Sequence, residues 1–186
     1  MPITLLDQNT INKIAAGEVV ERPSSVVKEL VENAIDAGAT AITVEIKEGG
    51  ISFIRVTDNG SGINKDEIEI AFKRHATSKI KSIEDLMAVS SLGFRGEALA
   101  SIAAVSQVEL ITKTANSISG VRYTIDGGVP GEVAEIGAPE GTTFIVRNLF
   151  YNTPVRRKFL KTATTEGGYI GSLVEYLALS HPDISF

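Results

Sequence analysis

Between residues 23 and 57 the chain changes its hydrophobic period once, and that change limits the folds open to it. Pro23-Ser24-Ser25 offers a helix start, after which Val26, Val27, Leu30, Val31, Ala34 and Ile35 recur at helical spacing until Gly38 stops the element. Residues 41–47 and 51–57 then largely alternate apolar and polar side chains, and Glu48-Gly49-Gly50 joins them as a β-hairpin. A short helix is expected at 10–16, with further helices at 65–72, 83–88, 97–103 and 166–180. Strands are expected near 105–112, 121–125, 131–136 and 143–147. Helices and strands in this order suggest an α+β sandwich. No internal repeat, low-complexity tract or linker divides the sequence, so a single domain over 1–186 is the simplest organisation.

With 186 residues, 43% of them hydrophobic and 22% charged, the chain has the composition of an ordinary globular domain with one core. No apolar run approaches the roughly 18 residues needed to span a bilayer, and the first residues lack a signal-type pattern, so the expected compartment is the cytoplasm. The absence of cysteine excludes disulfides and thiolate chemistry, and two histidines, His75 and His181, exclude a histidine-rich metal site. A net charge of −5 argues against non-specific nucleic-acid binding by the chain as a whole. One stretch runs the other way: Arg147, Arg156, Arg157, Lys158 and Lys161 occur with no acidic residue among positions 147–161. It reads either as a solvated surface or as a phosphate-backbone contact with steep salt dependence.

Four polar islands interrupt the apolar pattern. In the first, Glu29, Asn33 and Asp36 stand four and three residues apart and so share one face of the predicted helix. They can line one pocket, or be only its wet side together with Glu32. In the second, Asp58-Asn59-Gly60-Ser61-Gly62 follows an apolar strand. A tight turn explains the Asn-Gly pair, but a carboxylate just beyond a buried strand end also suits the exocyclic amine of adenine, with Gly60 and Gly62 letting a flat ring approach the backbone. The third, Gly93-Phe94-Arg95-Gly96-Glu97-Ala98, sets two glycines before a helix, where backbone N–H groups attract phosphate, and Lys79 can add a point charge. The fourth, Gly141-Thr142-Thr143, supplies a supporting hydroxyl. Neither GxxxxGK[ST] nor GxGxxG occurs, so ATP, if bound, is held by another architecture.

The order ExxxNxxDA, DxGxG, GFRGEAL and GTT resembles the GHKL ATPase superfamily, which groups type II topoisomerases, heat-shock chaperones, sensor histidine kinases and the MutL mismatch-repair proteins. Ile14-Ala15-Ala16-Gly17-Glu18-Val19-Val20, Arg74-His75-Ala76-Thr77-Ser78-Lys79 and the segment from Leu149 through Tyr151-Asn152-Thr153-Pro154 to Phe159 narrow the resemblance to the MutL family. It runs from about Thr4 to the last residue. It implies the Bergerat-type two-layer α/β sandwich, in which helices cover one face of a mixed, mostly antiparallel sheet, and it implies slow, Mg²⁺-dependent ATP hydrolysis.

By the same resemblance Glu29 is the general base and Asn33 the Mg²⁺ ligand. Asp36 belongs to the nucleotide site, and Asp58 reads adenine beside Gly62 and Thr143. Thr77, Lys79, Gly93, Phe94, Arg95, Gly96 and Glu97 serve the nucleotide from a lid at about 73–96, although a structural capping role for Glu97 is equally open. Residues 1–20 correspond to an arm exchanged between protomers when ATP binds, and arm and lid are expected to be poorly ordered without nucleotide. The implied partners are a second copy of the protein, mismatch-recognition and downstream repair proteins, and DNA, held weakly through the basic stretch near the nucleoid; no membrane is implied. The family's second domain, with a lysine reaching the γ-phosphate, and its dimerisation region are not in this sequence, so a fragment with little turnover is expected. The alternatives are a nucleotide-gated interaction module and a sensor-kinase catalytic domain. The second is disfavoured because such a domain has no counterpart of Glu29, and His75 and His181 are poorly placed as phosphoacceptors.

Overall fold

The helix expected after Pro23 forms as α2, Pro23–Asp36, with Pro23 in its first turn, where the missing N–H is no loss. It buries Val26, Val27, Leu30, Val31 and Ala34. Gly38, at φ 74°, ends it in the left-handed region, and its N–H donates to Ile35 O (2.9 Å) while that of Ala39 donates to Ala34 O (3.1 Å). The computed structural model describes residues 4, 5, 7–77 and 96–186. The predicted helix at 83–88 lies outside them.

Before α2 comes α1, Gln8–Val19, capped by Asp7, whose carboxylate accepts the Thr10 N–H at 3.0 Å. Six strands follow: β1 Ile42–Lys47, β2 Phe53–Asp58, β3 Gln107–Lys113, β4 Gly120–Asp126, β5 Val129–Ile136 and β6 Gly141–Arg147. Between β2 and β3 lie a 3₁₀ turn, Lys65–Glu67, the short α3, Ile68–Ala71, and α4, Ala98–Ala104. The chain closes with α5, Pro154–Phe159, and α6, Ala163–Ser180. The strands form one sheet in the order β1-β2-β6-β3-β4-β5, and every pairing between them is antiparallel. The one parallel pairing among the described residues is the isolated bridge between Ala41 and Ser185.

Strand alternation gives the sheet two unlike faces. Ile54 and Val56 of β2, Val108 and Leu110 of β3, Tyr123 of β4 and Phe144 and Val146 of β6 are buried in the core with α2, α4 and the inner side of α1. Phe72 stands over Tyr123, with ring centroids 5.4 Å apart. On the opposite face Glu109 joins Arg122 (2.6 Å) and Arg147 (2.9 Å), and Arg55 pairs with Glu45. This is the two-layer arrangement expected from the sequence.

Helix α1 is docked: Ala16 and Val20 are fully buried, and α1 packs on α4. It is also held from α5, whose helical form the sequence did not suggest. Arg156 donates to Ile14 O at 3.1 Å, and its guanidinium fills the space where a Cβ on Gly17 would fall, 2.0 Å from Nη2. Arg156→Ala is therefore expected to raise amide hydrogen exchange in α1 about fivefold, the size of one lost hydrogen bond, while the sheet amides stay protected. Unchanged exchange in α1 would show that its contacts with α4 suffice.

Candidate nucleotide site

The site is built where β2 ends beside the end of α2. Asp58 is the last residue of β2, only 8% exposed, and lies opposite Thr142 of β6. Its Oδ1 accepts the N–H of Gly60 (2.8 Å) and of Thr142 (3.3 Å). Both bonds fall on one oxygen, and Oδ2 takes none among the described residues. Burial holds the Asp58 carboxyl above the usual carboxylate range, and the two backbone donors only partly reverse this.

The loop after Asp58 is fastened on three sides. Asn59 Oδ1 accepts the N–H groups of Thr40 and Ala41, both at 2.9 Å. Ser61 N–H donates to Ala37 O (3.0 Å), one residue beyond Asp36, which brings the polar face of α2 to the loop. Thr112 of β3 receives the Ile63 N–H (2.9 Å) and donates to Gly141 O (3.1 Å). Gly62 has φ 72°, and a Cβ there would lie 2.3 Å from Lys113 O, so no larger residue fits without moving backbone. Thr143 pairs with Thr57 and its hydroxyl donates to Thr57 Oγ1 at 3.1 Å, on the face of the sheet opposite Asp58; the threonine brought beside that carboxylate is instead the buried Thr142.

On α2, Glu29 and Asn33 are half-buried and Asp36 is exposed. The reading of this face as simply wet fails at Glu32, which is only 7% exposed. Lys28 partners it at 3.2 Å and reaches Glu29 at 3.6 Å. Partial burial pulls the Lys28 ammonium down, but its bond to Glu32 and the charges of Glu32 and Glu29 leave it raised overall. Thus Glu29 has a cation beside it that the ExxxN spacing did not reveal.

Of the residues assigned to the lid, Thr77, Gly96 and Glu97 are described and half-buried. Lys79, Gly93, Phe94 and Arg95 lie outside the described residues. Glu97 immediately precedes α4 but makes no capping bond with its side chain. Instead its Oε1 is 3.3 Å from His75 Nδ1 and 3.7 Å from Arg74 Nη2. A separate 330 Å³ hollow lined by Ile63, Lys65, Lys113 and Ser117, among others, includes none of the candidate site residues.

The basic stretch is less uniform than its sequence. Arg147 is engaged with Glu109 and Arg156 with α1, which leaves Arg157, Lys158 and Lys161 exposed. The preceding Tyr151-Asn152 pair is structural: Tyr151 OH donates to Asp126, and Asn152 Nδ2 donates to Ala104 O at 2.9 Å. Burial and that bond to a carboxylate push the Tyr151 phenol up to about 12.

Residues 21–135 match the family described as histidine kinase-, DNA gyrase B-, and HSP90-like ATPase. The chain belongs to this ATPase family. The match takes in the first three polar islands, at residues 29–36, 58–62 and 93–98, while the fourth, Gly141-Thr142-Thr143, lies beyond it. Within the family the chain is similar to the DNA mismatch repair protein MutL. It is 72% identical to that of Agathobacter rectalis over 99% of this chain and 28% of the relative. It is 59% identical to that of Caldanaerobacter subterraneus subsp. tengcongensis over 99% of this chain and 31% of the relative. The chain therefore spans about three-tenths of the length of these curated relatives. In three dimensions it resembles the Aquifex aeolicus MutL ATPase domain complexed with ADP, with a TM-score of 0.74 and 36% identity over 89% of this chain and 58% of that one. It likewise resembles the N-terminal domain of a DNA repair protein, with a TM-score of 0.78 and 31% identity over 94% of this chain and 50% of that one. The antiparallel sheet with its helical layer is the fold of this ATPase family. Among the described residues, no helix is long and apolar enough to cross a membrane.

Proposed function

We propose that this chain is the Mg-ATP-binding and hydrolysing module of a MutL-type mismatch repair protein, in which the nucleotide drives dimerisation and recruitment of repair partners. The observation that carries the reading is Asp58: a buried carboxylate at a strand end, satisfied by backbone on one oxygen and open on the other. An exocyclic amine completes such a group, and a ring without one leaves it unpaired. Adenine is the base so read, with Gly62 admitting the ring and Thr142, the cross-strand neighbour of Asp58, alongside. The relative solved with ADP supports this assignment.

Glu29 is the group that orients the attacking water and takes its proton. Asn33, one turn further along the same face of α2, offers an amide oxygen of the kind a hard cation accepts. Among the described residues no cluster of three His, Cys, Asp or Glu side chains could hold a metal ion alone. That donor set fits Mg²⁺ held by Asn33 together with phosphate oxygens and water, where it would neutralise charge on the phosphates. Asp36 and Thr77, with Lys79, Gly93, Phe94, Arg95, Gly96 and Glu97, complete the proposed nucleotide set. Arg157, Lys158 and Lys161 form an exposed cationic surface suited to weak contact with a DNA backbone.

A second reading, a nucleotide-gated interaction module with little turnover, differs only in the fate of the nucleotide once bound. Titration calorimetry of the chain with a non-hydrolysable ATP analogue and Mg²⁺, with the GTP analogue in parallel, tests the shared premise. Binding that prefers the adenine nucleotide is expected. No heat of binding from a chain shown by circular dichroism to be folded would refute it.

A further inference from the structure

Arg74, His75, Gly96 and Glu97 stand at the two ends of residues 78–95, and the structure locks those ends together. Gly96 has φ 62°, and a Cβ there would lie 2.4 Å from Ala76 O, so the two backbones are in contact. His75 is itself at φ 64°, a conformation a non-glycine residue keeps only when its surroundings hold it there. Those surroundings include Glu97, whose Oε1 faces both Arg74 Nη2 and His75 Nδ1. The Arg74 and Glu97 side chains are 25% and 24% exposed, whereas His75 is 75% exposed, so Arg74 is the partner less screened by water.

We infer that Glu97 is a positioning residue for the phosphate end of the nucleotide site: by pairing with Arg74 it holds residues 74–77 against residues 96–97 and fixes where Thr77 and Gly96 stand. This rests on the ATP reading above. Of the two roles open to Glu97 from the sequence, capping is not taken up, since its carboxylate makes no bond to the first turn of α4. The alternative is a pair that only adds stability to the fold.

The two differ in what they do to ligands with and without phosphates. Affinities for a non-hydrolysable ATP analogue with Mg²⁺ and for adenosine are to be measured by titration or competition in wild type, Glu97→Ala, Glu97→Arg, Arg74→Glu and the Glu97→Arg/Arg74→Glu double variant. Each single variant is expected to weaken the ATP analogue about three- to fivefold, the range of a partly exposed ion pair, and to leave adenosine unchanged. The double variant is expected to regain most of the loss. Equal weakening of both ligands, no weakening of either, or no recovery in the double variant would overturn the inference. Wild type that binds neither ligand would instead refute the ATP reading itself, so the two failures are distinguishable. Thermal unfolding of each variant separates loss of fold from loss of binding.

Discussion

Replacing Glu29 with alanine is expected to lower ATP turnover about a hundredfold or more while leaving the affinity for a non-hydrolysable ATP analogue within about twofold. Glu29 lies on the face of α2 that carries Asn33, a half-buried carboxylate with Lys28 at 3.6 Å. A group that takes a proton only as water attacks contributes to the transition state and little to the bound ground state, so its loss appears in turnover alone. Glu32 supplies the control. It is the more buried carboxylate, and its contact with Lys28 at 3.2 Å is a packing feature. Glu32→Gln is therefore expected to lower thermal stability with turnover per folded molecule maintained. Phosphate release and calorimetry on both variants decide the matter. Unchanged turnover in Glu29→Ala would place the base elsewhere. Measurable binding with no turnover in wild type would favour the nucleotide-gated module.

Asp58→Asn is expected to weaken adenine-nucleotide binding at least about a hundredfold without destabilising the fold, because the amide repels the donor that the carboxylate receives. The Asn oxygen can still accept from Gly60 and Thr142, so the local backbone keeps its partners. The pH dependence comes from the direction of the Asp58 shift. Burial raises its value in the folded state above that in the unfolded chain. Below the unfolded value both states hold the proton and the charge costs nothing. Between the two values the unfolded chain releases its proton first, so stability falls as pH rises; above the folded value the cost is constant. Relative to wild type, Asp58→Asn is thus expected to melt at the same or a higher temperature at neutral pH, with the gap closing as the solution is acidified below the ordinary carboxylate range. A variant that melts lower at neutral pH and still binds ATP would show that Asp58 is a structural acid.

Much of the site could be read because its parts are local. A helix of period 3.6 puts Glu29, Asn33 and Asp36 on one side whatever surrounds it, and the strand before Asp58 and the glycines after it carry their own turn chemistry. The same locality hid α5. Six residues holding three cations show no apolar period, and Pro154–Phe159 becomes helical through Pro154 in its first turn and the anchoring of Arg156 to Ile14, 142 positions earlier. The burial of Glu32 was hidden for a related reason: a carboxylate reads as solvated until a neighbouring cation is seen to share its burial.

The sequence by itself determined the helix and strand periods, the residues sharing the α2 face, the position of Asp58 at a strand end and the family to which the chain belongs. Tertiary structure alone decided how these meet. The last strand, β6, enters the sheet between β2 and β3, and so delivers the Thr142 N–H to Asp58 across 84 positions and the Thr112 hydroxyl to Ile63 across 49. Local pattern carries no record of such pairings, because strand order is set by which hydrophobic faces can be buried together, and backbone hydrogen bonds between strands are blind to side-chain identity.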